Sequence, residues 1–306
     1  MEMSMSNNPL DRVKQQIHEF LLEFDNPFLH TLCSKLNHGK MLRSRLIFAI
    51  AGVNDQSVKL CGIVELIQLA SLLHDDVIDE AMSRRSSPSL NALFGNKNSI
   101  MLGDALYSKA YFHLLSFPES IARSIAHCVC LLSSGEIRDV FLSESFNPSL
   151  SEYILMIKEK TASLIASSAK SSALLIGEES EAYYHYGECL GIAFQIIDDI
   201  LDITQNEETL GKPAMNDFLE GKITLPYILL YEALGRDERE RLKSMHKTPL
   251  EAEQKSWLFE QFTKHKIIEK SFEYARDYAQ NAVSKLPKGY NEELDDMIRA
   301  MIERSY

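Results

Sequence analysis

Apolar residues recur at three- and four-residue spacing along nearly all of the 306-residue chain, the period of one helix face rather than of a strand. The stretches 11–24, 121–143, 151–176 and 181–203 carry this pattern most clearly. No run alternates apolar and polar residues between turn signals, so strands are not predicted. Breaks fall at Asn26-Pro27, Ser87-Pro88, Phe117-Pro118, Asn147-Pro148, Gly211-Lys212-Pro213, Thr248-Pro249 and Pro287-Lys288-Gly289, each a natural end for a helix. None is long enough to link two domains. The pattern therefore predicts an all-α fold over residues 1–306, a single-domain bundle of about ten or more helices around a central cavity. Stretches 62–73 and 189–203 are apolar on more than one face and are expected at its centre, whereas the charged, amphipathic 253–285 region reads as outer helices.

Two strings break the apolar character of those central stretches: LLHDDVIDE at 72–80 and FQIIDDILDI at 194–203. A carboxylate in an apolar setting is costly unless something neutralises it. In each string the outer aspartates (Asp75 and Asp79, Asp198 and Asp202) are four apart. The middle ones, Asp76 and Asp199, lie three before the last, so each trio is expected on one helical face over a single turn. Like charges at that spacing repel, but converging carboxylates suit hard divalent cations that prefer oxygen ligands. One such trio reads as a solvated acidic patch. Two, at the same spacing in the most apolar helices, read as a paired metal site. Two acidic rims facing each other across a cavity, with Mg2+ between them, would hold a ligand rich in negative oxygens, most simply a diphosphate.

The net charge of −12 argues against a non-specific nucleic-acid binder, which needs a basic surface. A polyanion site in so acidic a chain requires local cations. Candidates stand at definite places relative to the aspartates: Lys40 and Arg43 in HGKMLRSRL, Arg84 and Arg85 after the first trio, Lys160-Thr161, and Lys212 and Lys222 after the second. Apolar residues make up 45% of the chain, ample for a core. The five cysteines are odd in number and sit in apolar stretches, as thiols in a reducing compartment would. The N-terminal residues have no apolar signal core and no charge-free apolar run is long enough to span a bilayer, so a cytoplasmic location is expected.

The ordered set HGKMLR, LLHDDVIDEAMSRR, GDALYSKAY, KTASL, FQIIDDILDIT, LGKPAMND and GKITLP resembles the trans-prenyl diphosphate synthases, and is most similar to the bacterial long-chain, octaprenyl-type members. The segments outside this stretch match only in being helical. The resemblance implies that Asp75 and Asp79, with Asp76 in support, bind Mg2+ that bridges to an allylic diphosphate, and that Asp198, Asp199 and Asp202 hold a further Mg2+. Arg84, Lys160, Thr161, Gln195, Lys212 and Lys222 would meet the allylic diphosphate, and Lys40, Arg43, Gln68 and Arg85 the isopentenyl diphosphate. Catalysis would rest on Asp75, Asp76, Asp79, Arg84, Lys160 and Lys212. The chain departs from the family pattern at His38, where a Gly is usual, at Ser44 (usually Pro), at Ser86 (usually Gly) and at Gln68. The His usual in place of Gln68 helps hold isopentenyl diphosphate, so weaker binding there is expected.

The implied reaction is Mg2+-dependent condensation of farnesyl diphosphate, or a similar primer, with successive isopentenyl diphosphates. A homodimer joined through the 121–143 stretch is implied, with loose membrane association for product release and no nucleic-acid partner. The growing tail must run down the helix before Asp75, where one turn, about 5.4 Å, is close to one isoprene unit. Short-chain members block this level with an aromatic; here Ala70 and Ser71 are small, and Ile67 and Val64 below them are aliphatic. The tail should pass this level, giving a product longer than farnesyl; the resemblance to octaprenyl-type members implies a product of about C30–C40, suited to a quinone side chain, with a geranylgeranyl-length product as the alternative. A terpene cyclase would carry a different second metal motif, a non-catalytic synthase subunit would have lost aspartates, and a phosphohydrolase built on His74-Asp75 lacks further metal-binding histidines.

Overall fold

The structure, a computed structural model, describes residues 8–85, 87–205 and 215–303. Helices α1 (Pro9–Leu22), α2 (Pro27–Cys33), α3 (Leu42–Ala51) and α4 (Asp55–Ile78) lead to a hairpin of β1 (Ser83–Arg84) and β2 (Ser87–Pro88). Then come α5 (Leu90–Phe94), α6 (Asn96–Leu114), α7 (Glu119–Ser143), α8 (Leu150–Ile157), α9 (Ser163–Leu175) and α10 (Ser180–Thr204). The remainder is α11 (Asn216–Glu220), α12 (Leu225–Ala233), α13 (Arg236–Ser244), α14 (Ala252–Lys264), α15 (Ile267–Val283) and α16 (Glu293–Glu303). The fold is all-α, as the apolar period predicts.

Local chemistry sets the helix starts. The Asn8 and Asn26 side chains accept backbone N–H bonds at the first turns of α1 and α2, and each helix opens on a proline, whose missing N–H costs nothing there. Asn54 and Ser57 form a reciprocal capping box that starts α4.

Three details differ from the pattern. The 151–176 stretch is not one helix: a π-turn, Lys158–Ala162, separates α8 from α9. The 253–285 region divides at Lys266, whose φ of 52° is left-handed. The β1–β2 hairpin, pairing Ser83 with Pro88 and Arg84 with Ser87, is too short to show alternation in sequence.

Two compact units divide the chain, 1–129 with 167–184, and 130–166 with 185–306. In the first, Ile47, Leu60, Ile63, Leu66, Ile67 and Leu106 are wholly buried, drawing α3, α4 and α6 together. Helix α4 is long and apolar enough to cross a membrane, but 72% of its most apolar window is buried inside the protein; it is a core helix. In the second, Phe218 stacks on Tyr227 at 4.3 Å and Tyr227 meets the Phe262 ring edge-on at 5.4 Å. The buried Tyr186 hydroxyl donates to the Leu294 carbonyl at 2.8 Å. Replacing Asn54 with Ala removes the cap of α4 and should cost about 1 kcal/mol of stability, read by urea unfolding.

Candidate active site

The first acidic string lies at the C-terminal end of α4. The helix proper ends at Ile78, and Asp79 is its cap, its N–H donating to the Asp75 carbonyl at 2.8 Å. The expectation of one shared face needs correction. Asp75 and Asp79 are half-buried, but Asp76 turns inward to 3% exposure. There its Oδ1 accepts a bond from Arg84 Nε at 2.5 Å, and its backbone carbonyl accepts from Asn91. Burial pushes the Asp76 carboxyl up and the Arg84 guanidinium pulls it down. Residues Asp75 and Asp79 thus present the more open carboxylates, while Asp76 ties the helix end to the hairpin that carries Arg84.

Arg85, at the hairpin turn, has a φ of 52° and donates from Nη1 to the Asn37 carbonyl at 2.7 Å. Gly39 lies against this guanidinium, where an added Cβ would fall 2.3 Å from Nη1, and its φ of 62° is the left-handed region that favours glycine. Lys40 follows and is exposed. Arg43 is half-buried, with its Nε buried and no acceptor in reach among the described residues. The departure at Ser44 has a structural counterpart: its hydroxyl donates to Glu65 Oε1 at 2.6 Å, both residues buried. Burial raises the Glu65 carboxyl; Ser44 and Arg43 lower it. Of the expected isopentenyl diphosphate group, Arg43 is lowered in pKa by burial and, to a smaller degree, by the nearby charge of Arg85. Gln68 is half-buried on α4. Further back along α4, Val64, Ile67 and Ala70 are fully buried and Ser71 is half-buried. His74 is docked on α6, Nε2 lying 3.2 Å from the Ile100 carbonyl and 3.4 Å from Asp104, a structural position.

The second acidic string is on α10. Asp198 is exposed, whereas Asp199 and Asp202 are each 3% exposed. Two neutral donors brace Asp199: Tyr153 Oη at 2.5 Å and Gln195 Nε2 at 2.8 Å. Its pKa is raised well above the carboxylate range by burial and then by the charge of Asp217. Asp202 accepts from the Asp217 N–H at 3.2 Å. The Tyr153 hydroxyl is pushed up by burial and by Asp199, so it stays a donor.

The Gln195 amide also accepts from Thr161 Oγ1 at 2.8 Å, which joins α10 to the π-turn. Lys160, next on that turn, pairs with Glu136 at 2.8 Å and Asp139 at 2.7 Å. Lys222 pairs with Glu220 at 2.7 Å and lines a cavity of about 20 Å³ with Asp139, Tyr153 and Thr224, room for one water. Lys212 lies outside the described residues. Left-handed φ among non-glycine residues occurs at Glu80, next to Asp79, at Arg85, at Met41 beside Lys40, and at Met215, and also at Lys247 and Lys266 away from these strings.

The donor chemistry fits divalent cations. Every candidate ligand is a carboxylate oxygen, and Asp199 is oriented by hydrogen bonds as a ligand carboxylate should be. Among the described residues, no three acidic, His or Cys side chains converge to enclose an ion by themselves. That suits Mg2+, which commonly takes one or two carboxylates and completes its shell with phosphate oxygens and water. The sequence reading missed Tyr153, Asp217, Glu136, Asp139 and Glu65. Only Asp217 had a signal, its place in LGKPAMND; the others read as core or surface positions of amphipathic helices. Arg84→Ala strands a buried carboxylate and should cost about 2 kcal/mol, discounted for the part-exposed guanidinium. Adding Asp76→Ala should recover part of that loss in a double-mutant cycle of unfolding free energies.

Residues 26–262 match the polyprenyl synthetase family. The chloroplastic solanesyl diphosphate synthase 1 of Arabidopsis thaliana is 33% identical over 92% of this chain and 73% of its own length. The crystal structure of octaprenyl pyrophosphate synthase from Helicobacter pylori is 42% identical, with a TM-score of 0.92 over 99% of this chain and all of that one. A polyprenyl synthase from Caulobacter crescentus, complexed with calcium and isoprenyl diphosphate, is 29% identical, with a TM-score of 0.89 over 97% of this chain and 95% of its own. With the two acidic helices and their basic neighbours, these likenesses mark the chain as a trans-prenyltransferase of the polyprenyl synthetase family.

Proposed function

We propose that the whole chain works as one catalytic domain that condenses an allylic diphosphate, farnesyl or similar, with successive isopentenyl diphosphates to a long-chain all-trans product. The observation that carries this reading is the pair of Asp-Asp-x-x-Asp strings in buried helices, each with one carboxylate braced by partners: Asp76 by Arg84, Asp199 by Tyr153 and Gln195. Asp75 and Asp79, and Asp198, Asp199 and Asp202, are the residues that would hold Mg2+. Bound there, the ions supply positive charge that stabilises the departing diphosphate. The neighbour complexed with calcium and isoprenyl diphosphate supports a divalent cation in this role.

Arg84, Lys160, Thr161, Gln195, Lys212 and Lys222 receive the allylic diphosphate and neutralise the charge that grows as its carbon–oxygen bond breaks. The cation left behind survives where water is excluded, and the wholly buried Val64, Ile67 and Ala70 offer such a wall. Lys40, Arg43, Gln68 and Arg85 orient isopentenyl diphosphate, whose double bond forms the new carbon–carbon bond. Loss of a proton, accepted by the released diphosphate, completes the step. The buried Arg43 Nε supports an anion-binding role for that residue.

Names of relatives support a long product: solanesyl and octaprenyl diphosphate synthases are among them. A quinone side chain is a fitting destination. The cysteines, all thiols in the structure, fit a cytoplasmic setting. Exposed Ile137, Val140 and Phe141 form an apolar stripe on α7 at helical spacing, and a second copy of the chain is the partner proposed for it. Incubation with farnesyl diphosphate, labelled isopentenyl diphosphate and Mg2+ should give a ladder ending at about C30–C40, abolished by EDTA, and Ala70→Tyr should stop it at about farnesyl or geranylgeranyl length, one helical turn below the aspartates. A cyclic product, or no turnover, would sink the reading; an Ala70→Tyr ladder of full length would sink the tail path.

A further inference from the structure

The π-turn at Lys158–Ala162 is an irregularity that α-helical propensity does not explain, and such single-turn insertions are frequent at functional sites. Its backbone is gripped on two sides. At Gly135 of α7 an added Cβ would lie 2.3 Å from the Lys160 backbone nitrogen, and at Gly191 of α10 one would lie 2.5 Å from the Ala162 Cα. Only glycine lets both helices approach so closely.

On this turn the two adjacent side chains part company. Thr161 bonds Gln195, which in turn bonds Asp199. Lys160 reaches instead to α7, where Glu136 and Asp139, three residues apart on one face, take its ammonium at 2.8 and 2.7 Å. Glu159, the nearest acid on the turn itself, is occupied elsewhere by Ser134 at 3.1 Å and Arg138 at 3.4 Å, and Arg138 also holds Glu152 at 2.8 Å. Asp139 is 5% exposed and lines the same cavity as Lys222. It therefore lies beside both described lysines expected to meet the allylic diphosphate.

We propose that Asp139, with Glu136, is a positioning residue for Lys160: the carboxylate pair and the glycine-clamped π-turn aim the ammonium at the allylic diphosphate. A lysine side chain has four rotatable carbons and a compact charge that points nowhere by itself. Two carboxylates at the ammonium and a clamped backbone at the other end of the side chain hold that charge in one place. The reaction gains because a pre-aimed cation need not be ordered as charge develops on the leaving diphosphate. This inference rests on the reading of Lys160 as an allylic diphosphate ligand.

The test compares Lys160→Ala, Asp139→Ala and Asp139→Asn by steady-state kinetics with farnesyl and isopentenyl diphosphates varied in turn, alongside thermal unfolding. Asp139→Ala should lower kcat/KM for the allylic substrate by about tenfold or more while the KM for isopentenyl diphosphate stays within about twofold. Asp139→Asn, which keeps an acceptor without its charge, should fall between Ala and the native protein at an unchanged melting temperature. If both Asp139 variants stay within twofold while Lys160→Ala is crippled, the cradle does not position the lysine and the inference fails alone. Tighter allylic binding in Asp139→Asn would also overturn it, since the carboxylates would then compete with substrate. A fully active Lys160→Ala would instead overturn the reading of Lys160 on which the inference stands.

Discussion

A carboxylate inside an apolar helix bundle must be met by a donor or a cation, because an unpaired buried charge costs several kcal/mol even after the protein relaxes. In this chain that constraint organises the surroundings of both acidic strings. Asp76 is met by Arg84 from the hairpin, Asp199 by Tyr153 and Gln195, and Asp202 by the Asp217 N–H. Arg84, Tyr153 and Asp217 reach in from elements other than the acid's own, and Gln195 from one turn earlier on α10, so the acids tie those elements together. Asp75 and Asp79 are half-buried and Asp198 is exposed, so these three are the more open members of the two strings.

The same logic governs the basic residues. Four of the described lysines and arginines at these places are already engaged. Arg84 is paired with Asp76, Arg85 with the Asn37 carbonyl, Lys160 with two acids and Lys222 with Glu220. In a protein of net charge −12, each of these cations has an acceptor close at hand. Left-handed backbone at Met41, Glu80, Arg85 and Met215 puts strain beside some of these groups, where the surrounding packing must over-determine it.

The helices and the acidic strings were legible in the sequence because both depend on spacing along one chain. Apolar residues every three or four positions disclose a helix, and Asp-Asp-x-x-Asp in such a run is visible as a break in it. The π-turn at 158–162 was not legible, since one extra residue in a turn leaves the apolar period nearly intact. Nor were the inward rotation of Asp76 and the roles of Tyr153 and Glu65. Tyr153 meets Asp199 from 46 residues away, and Ser44 meets Glu65 from 21; which of many polar residues satisfies a buried acid is decided by tertiary packing. Ser44, a departure from the family pattern in sequence, becomes intelligible only with Glu65 beside it.

The central claim is that both carboxylate sets hold divalent cations against a diphosphate. It is tested most directly by calorimetric titration of an unreactive farnesyl thiodiphosphate, with and without Mg2+, into the native protein and into Asp75→Ala and Asp198→Ala variants. The account predicts tight binding only with Mg2+, weakened at least tenfold by either substitution. Equal affinity without Mg2+, or undiminished binding in both variants, would contradict it.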